Sequence, residues 1–222
     1  MKKLLIVANW KMNPERLTQA KLLFNSVKQG IKKIRNTRPN RNQRFSNRVE
    51  VVICPPFVYL SALKANGAQD CFWENKGAYT GEISPLMLKD IGVKYVLIGH
   101  SERRARGETF EMINKKIKAV LKVGLKPILC IDKLSQIPKD IQGNYILAYE
   151  PVFAIGTGKP CSVERSKKMR KNADNNFVLY GGSVNSQNAK DYIEKAGFQG
   201  LLIGGASLNS KEFLRIIKNV AI

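Results

Sequence analysis

The sequence predicts an α/β fold in which eight parallel strands form a barrel. Three observations carry that prediction. Eight short runs of mostly branched apolar residues recur along the chain, helical periodicity fills the spaces between several of them, and polar or glycine-rich clusters stand directly after the strands.

In chain order the expected strands are Leu4 to Ala8, Val49 to Ile53, Gln69 to Phe72, Tyr95 to Ile98, Pro127 to Ile131, Ile146 to Tyr149, Phe177 to Tyr180 and Leu201 to Ile203. Near-continuous apolar runs suit strands covered on both faces, as in a parallel sheet, where each connection must cross back over the sheet. Between the first two, Leu17, Ala20, Phe24, Val27, Ile31 and Ile34 form one apolar stripe, with Lys21, Lys28 and Lys32 outside it. Phe110, Ile113, Ile117, Val120 and Leu121 repeat the pattern, as do Phe213, Ile216, Ile217 and Val220. Helix starts are signalled by Ser186 and by Asn209 or Ser210 as caps. The fifth crossover, Asp132 to Tyr145, contains Pro138 and Gly143 and has room for about two helical turns at most. The sixth should carry a helix of similar size from Ser162 to about Asn172.

A length of 222 residues suits one domain, spanning 1–222, near the lower end of what eight strand–helix units need. With 44% hydrophobic and 25% charged residues the chain can bury a sizeable core, which argues against wholesale disorder. No apolar run reaches the roughly 18 residues of a membrane span, and the apolar start is short for a signal peptide. Cys54, Cys71, Cys130 and Cys161 lie far apart without metal-ligand spacing, so reduced thiols in a cytoplasmic protein are expected. The net charge of +21 attracts any polyanion and names no partner. Lys28, Lys32, Lys33, Arg35, Arg38, Arg41, Arg44 and Arg48 form a stretch without acids that reads as a loop from Asn36 to Asn47. It lacks interleaved aromatic residues, so a solvated loop is expected there rather than a nucleic-acid site.

The chemistry-bearing clusters are Asn9 to Lys11, His100 to Glu102, Glu150, Gly181 to Ser183 and Gly204 to Gly205. In a parallel barrel the C-terminal strand ends converge on one rim, where active sites are built and where loops after strands seven and eight often take a phosphate. Asn9-Trp10-Lys11, Gly99-His100-Ser101-Glu102-Arg103-Arg104, Ala148-Tyr149-Glu150-Pro151-Val152, Gly156-Thr157-Gly158-Lys159, Tyr180-Gly181-Gly182-Ser183-Val184 and Gly204-Gly205-Ala206-Ser207-Leu208 stand in that order over nearly the whole chain. Together they resemble the motifs of the triosephosphate isomerase family.

The resemblance implies a TIM (β/α)8 barrel and a cofactor-free, metal-free enzyme that interconverts D-glyceraldehyde 3-phosphate and dihydroxyacetone phosphate through an enediolate. In that reading Glu150 is the base and His100 a neutral electrophile, a tactic for which this enzyme class is the standard worked example. Lys11 and Asn9 would stabilise charge growing on the enediolate oxygen, with Glu102 orienting Lys11. Gly156, Ser183, Gly204 and Gly205 would take the phosphate, since backbone N–H groups approach it closely where no side chain intrudes. Pro151 to Cys161 resembles a lid, with Tyr180 and Ser183 as its latches. Gly77-Ala78-Tyr79-Thr80-Gly81-Glu82 resembles a loop that enters a neighbouring subunit, which implies a homodimer.

The chain departs from the family's pattern at several places. Phe153 stands where many relatives carry tryptophan, Asp70 replaces the usual asparagine, and Pro160-Cys161 replaces small residues, implying a stiffer second hinge. The fifth crossover helix looks mostly missing, and the sixth shortened. Two rival readings are another phosphate-binding barrel isomerase or aldolase, and a catalytically weak barrel that binds nucleic acid non-specifically through its basic surface. An aldolase would want a lysine inside strands five to seven, which is not found, and a metal-dependent epimerase more than the single histidine present.

Overall fold

A computed structural model describes residues 3–36, 49–141, 143–173 and 177–221. Its elements run β1 (Leu4–Asn9), α1 (Leu17–Asn36), β2 (Val49–Cys54), α2 (Phe57–Leu63), β3 (Gly67–Ala68), α3 (Pro85–Asp90), β4 (Tyr95–Ile98), α4 (Ser101–Arg104), α5 (Phe110–Lys122) and β5 (Lys126–Ile131). Then follow β6 (Ile146–Tyr149), α6 (Val163–Asn172), β7 (Phe177–Tyr180), α7 (Ala189–Glu194), β8 (Gly200–Ile203) and α8 (Ser210–Val220). All the strand pairs are parallel, in the order β2-β1-β8-β7-β6-β5-β4-β3. This is the nearly closed TIM barrel that the resemblance implies.

Alternation along each strand sorts the core into two parts. Leu5, Val7, Val52, Leu97, Ile128, Ala148, Leu179 and Leu202 fill the barrel interior. Leu4, Ile6, Ala8, Val96, Ile98, Leu129, Leu147 and Val178 point outward into a second, larger core beneath the helices. The buried stripe of α8, made of Phe213, Ile216, Ile217 and Val220, closes that layer. Burying such a side chain contributes roughly 1.5–3 kcal/mol, far more than helix propensity contributes per residue, so packing fixes these helices.

The third strand corrects the sequence expectation. Gln69 to Phe72 lies beyond the two-residue strand Gly67–Ala68. A Cβ at Gly67 would stand 2.5 Å from both Cys54 Sγ and Val52 Cγ1, so the close approach of β2 selects small residues there. Side-chain amides help join the β2–β3 seam. Asn66 accepts from Ile53 N–H at 3.1 Å and donates to Val51 C=O at 3.0 Å, standing in for a strand's own donor and acceptor.

Asn209 is the cap of α8, accepting from the N–H groups of Lys211 and Glu212. Ser186 does not cap a helix: Asn188 occupies that position for α7, while Ser186 gives its N–H and hydroxyl to Glu212. Among its described residues the fifth crossover holds one 3-10 turn, Leu134–Gln136, and the sixth carries the ten-residue α6 with Ser162 as its cap. Arg38, Arg41, Arg44 and Arg48 of the basic stretch lie outside the described residues. Among the described residues no helix is long and apolar enough to cross a membrane.

Candidate active site

A cleft of about 290 Å³ opens among the C-terminal strand ends, lined by Asn9, Lys11, His100, Glu150, Gly156, Ser183, Gly204 and Gly205 among others. Those are eight of the nine expected site residues. The ninth, Glu102, stands behind the cleft and bonds Lys11 Nζ at 2.7 Å.

His100 follows β4 after Gly99 and caps α4, which puts its ring at a barrel edge with a helical N-terminus beside it. Its Nδ1 accepts the Glu102 backbone N–H at 3.2 Å, so the neutral ring carries its proton on Nε2. That nitrogen faces Glu150 Oε1 at 3.2 Å. Burial works against a charged ring, but the carboxylates of Glu150 and then Glu102 outweigh it and raise the proton affinity of His100. The backbone N–H on Nδ1 opposes a second proton.

Glu150 follows β6 and is almost wholly buried, with Oε2 making no hydrogen bond. An unsatisfied carboxylate oxygen costs stability in a structural role but is suited to taking a proton. Gly181 makes room for it, since a Cβ there would come within 3.0 Å of Glu150 Cγ. Cys130, inside the barrel, has its thiol pushed well up by burial and by the nearby Glu150 carboxylate.

Lys11 has a backbone φ of 54°, a conformation L-residues rarely adopt. Asn9 Oδ1 accepts the Lys11 N–H at 3.0 Å, and Gln69 Nε2 donates to Lys11 C=O at 2.7 Å and to Cys54 C=O at 2.9 Å. Asn9 thus keeps its NH2 group for another acceptor. Sequence reasoning assigned Gln69 to a strand and missed this duty; an amide at a strand end is the signal that could have found it. Arg104 was missed as well: it donates to Gly99 C=O and, at 2.8 Å, to Cys130 C=O, tying α4 to the barrel.

Next to Lys11, Gly204 and Gly205 follow β8, and a 3-10 turn begins at Gly205; a Cβ at Gly204 would stand 3.4 Å from Lys11 Cε. Among the described residues nothing accepts the backbone N–H of Gly156, Ser183 or Gly205. Three unused donors and the Lys11 ammonium suit a small dianion. The segment from Pro151 to Cys161 gives Ile155, Gly156 and Gly158 to the lining of the cleft. Gly158 N–H donates to Ser183 Oγ at 3.1 Å, Ser183 Oγ donates to Ala154 C=O at 2.6 Å, and Cys161 N–H donates to Tyr180 Oη at 3.0 Å. Both residues named as latches therefore hold this segment. Arg165 lies 4.8 Å from the Phe153 ring centroid, within cation–π range.

A family model described as triosephosphate isomerase matches residues 4–220. The chain belongs to the triosephosphate isomerase family. It is 38% identical to the triosephosphate isomerase of Thermoanaerobacter sp. strain X514 over 260 aligned positions, covering 98% of this chain and 99% of the relative. Similarity to the Trichodesmium erythraeum enzyme is 38% over 250 positions, with the same coverage. A Dehalococcoides mccartyi relative, from strain CBDB1, is 36% identical over 262 positions, covering 100% of this chain and 98% of its own. Each alignment is longer than the 222-residue chain, so these family members carry segments that this one lacks.

Proposed function

We propose that this chain, folded as one domain over 1–222, interconverts D-glyceraldehyde 3-phosphate and dihydroxyacetone phosphate with Glu150 as base and His100 as electrophile. It is an aldose–ketose isomerase of its family. The observation that carries the residue assignment is the pairing of a buried, half-unsatisfied carboxylate with the only histidine at 3.2 Å, in a cleft that also offers dianion donors.

Glu150 takes a proton from the carbon next to the substrate carbonyl, and the C–H electrons form the enediolate double bond. Negative charge moves to the carbonyl oxygen, where the His100 Nε2–H, the Lys11 ammonium and the Asn9 NH2 receive it. The protonated Glu150 then gives its proton to the former carbonyl carbon, while the hydroxyl proton on the other oxygen passes by way of His100 to the former carbonyl oxygen, so that the C=O is remade one carbon over. Gly156, Ser183, Gly204 and Gly205 hold the phosphate, and the latched lid keeps the intermediate from water and from losing phosphate. Every step is assigned to a side chain or backbone group of this protein, and no cofactor or metal enters.

We read the assembly as a homodimer through Gly77–Glu82, supported by the exposure of that loop and of Met12 and Tyr79. A cytoplasmic location is supported by four free, buried cysteines.

Turnover of dihydroxyacetone phosphate in D2O tests the proton route. A carboxylate that exchanges with solvent while the enediolate waits should place deuterium on carbon in the product. Product and recovered substrate both free of carbon-bound deuterium, together with a folded Glu150→Gln variant that turns over at the parental rate, would sink the role of Glu150.

A further inference from the structure

Behind the cleft, four ionisable side chains are packed against one another. Asp70 is 5% exposed, and Lys116, on α5, is 3% exposed. Lys116 Nζ donates to Asp70 Oδ1 and Oδ2 at 2.8 and 2.9 Å and also pairs with Glu108. Arg103 Nε reaches Asp70 Oδ2 at 2.6 Å and Glu108 Oε1 at 3.4 Å. None of the four lines the cleft.

We propose that Asp70 is a positioning residue for the isomerisation, its carboxylate acting through Arg103 to fix the α4 turn that carries His100 and Glu102. The inference rests on the isomerase reading above. Arg103 adjoins Glu102, and the N–H groups of Arg103 and Arg104 both bond the His100 carbonyl, at 2.8 and 3.1 Å. Four residues this close along one helical turn cannot shift independently. The other end of the device is Gln69, the neighbour of Asp70, which holds the Lys11 carbonyl. One dipeptide therefore places both halves of the Lys11–Glu102 pair.

Charge explains why a carboxylate stands here. Two carboxylates meet two cations, so the buried group is neutral as a whole. An asparagine at 70, usual in the resemblance, would leave two cations with Glu108 alone, and a buried charge without a full partner relaxes toward solvent. For Arg103, whose side chain is 45% exposed, that relaxation is outward and would draw α4 with it. Small displacements of catalytic groups cost rate steeply. The phosphate donors stand on other loops, so substrate grip should be spared.

The test is a double-mutant cycle with Asp70→Asn, Arg103→Gln and the double variant, reading kcat and KM per folded molecule. Asp70→Asn should lose about tenfold in kcat with KM within about twofold of the parent's, and the double variant should be no slower than Arg103→Gln alone. A folded Asp70→Asn protein with parental kcat, or two losses that multiply in the double variant, overturns the proposal. If Asp70→Asn does not fold, Arg103→Gln decides: a kcat loss at constant KM supports the route through Arg103, and parental kcat overturns it. An inactive parent would instead overturn the isomerase reading, and this inference with it.

Discussion

At the scale of single residues, the arrangement turns on His100 and the two carboxylates near it. Its Nδ1 is committed to a backbone N–H, which specifies the tautomer that donates from Nε2. The proton affinity of the ring is raised in spite of burial because Glu150 and Glu102 face it. Replacing Glu150 by Gln removes the closer carboxylate and leaves burial opposed by Glu102 alone. The titration midpoint of His100, followed by NMR as the only imidazole in the protein, should therefore move to lower pH in Glu150→Gln. A midpoint that stays put or rises would contradict the 3.2 Å contact. The catalytic candidates were legible in the sequence because each stands at or just after a strand's C-terminal end, within a distinctive motif. Gln69, Arg104 and Asn66 were not, because each acts on backbone atoms of a distant element, and nothing local in the sequence marks such a partner.

Among the elements, legibility tracked side-chain size and periodicity. The long stripes of α1, α5 and α8 were readable apart from Leu17 and Phe110, which open their helices and are exposed, and Ser162 and Asn209 marked starts that the structure bears out. The strand β3 was misplaced because its residues are small where the barrel wall is crowded, the reverse of the signal used to find strands. Ser186 was misread since a serine before an apolar run can serve a neighbouring helix's Glu212 instead of its own. In the lid, Pro160 precedes the Cys161 N–H that Tyr180 accepts, so the φ restriction of proline falls next to a latch. The Gly77–Glu82 loop is exposed along its length, with the Tyr79 ring tilted against Phe72 at 4.7 Å between centroids. Such a loop is left largely uncovered in one chain. Sedimentation should give twice the 24.9 kDa mass of one chain, and a single-chain mass would contradict the dimer.

The molecule as a whole shows how a short chain keeps a barrel. Among its described residues the fifth crossover has one 3-10 turn, and Leu134, Ile137 and Ile141 still pack onto the core. Asn66 helps join β2 and β3 where β3 is only two residues long. The charge of +21 is spread beyond the site, and the cleft's own chemistry accounts for a phosphorylated substrate without it. What the fold delivers is one rim on which Glu150 and His100 meet Gly156, Ser183, Gly204 and Gly205, the donors proposed for the phosphate, and that convergence is the central claim. The most direct test is the rate of conversion of glyceraldehyde 3-phosphate to dihydroxyacetone phosphate by the purified protein beside a Glu150→Asp variant. Shortening the side chain by one methylene withdraws the base from carbon and should lower kcat on the order of 10²-fold, with KM little changed. Equal rates in the two proteins would contradict the assignment of Glu150 as the base.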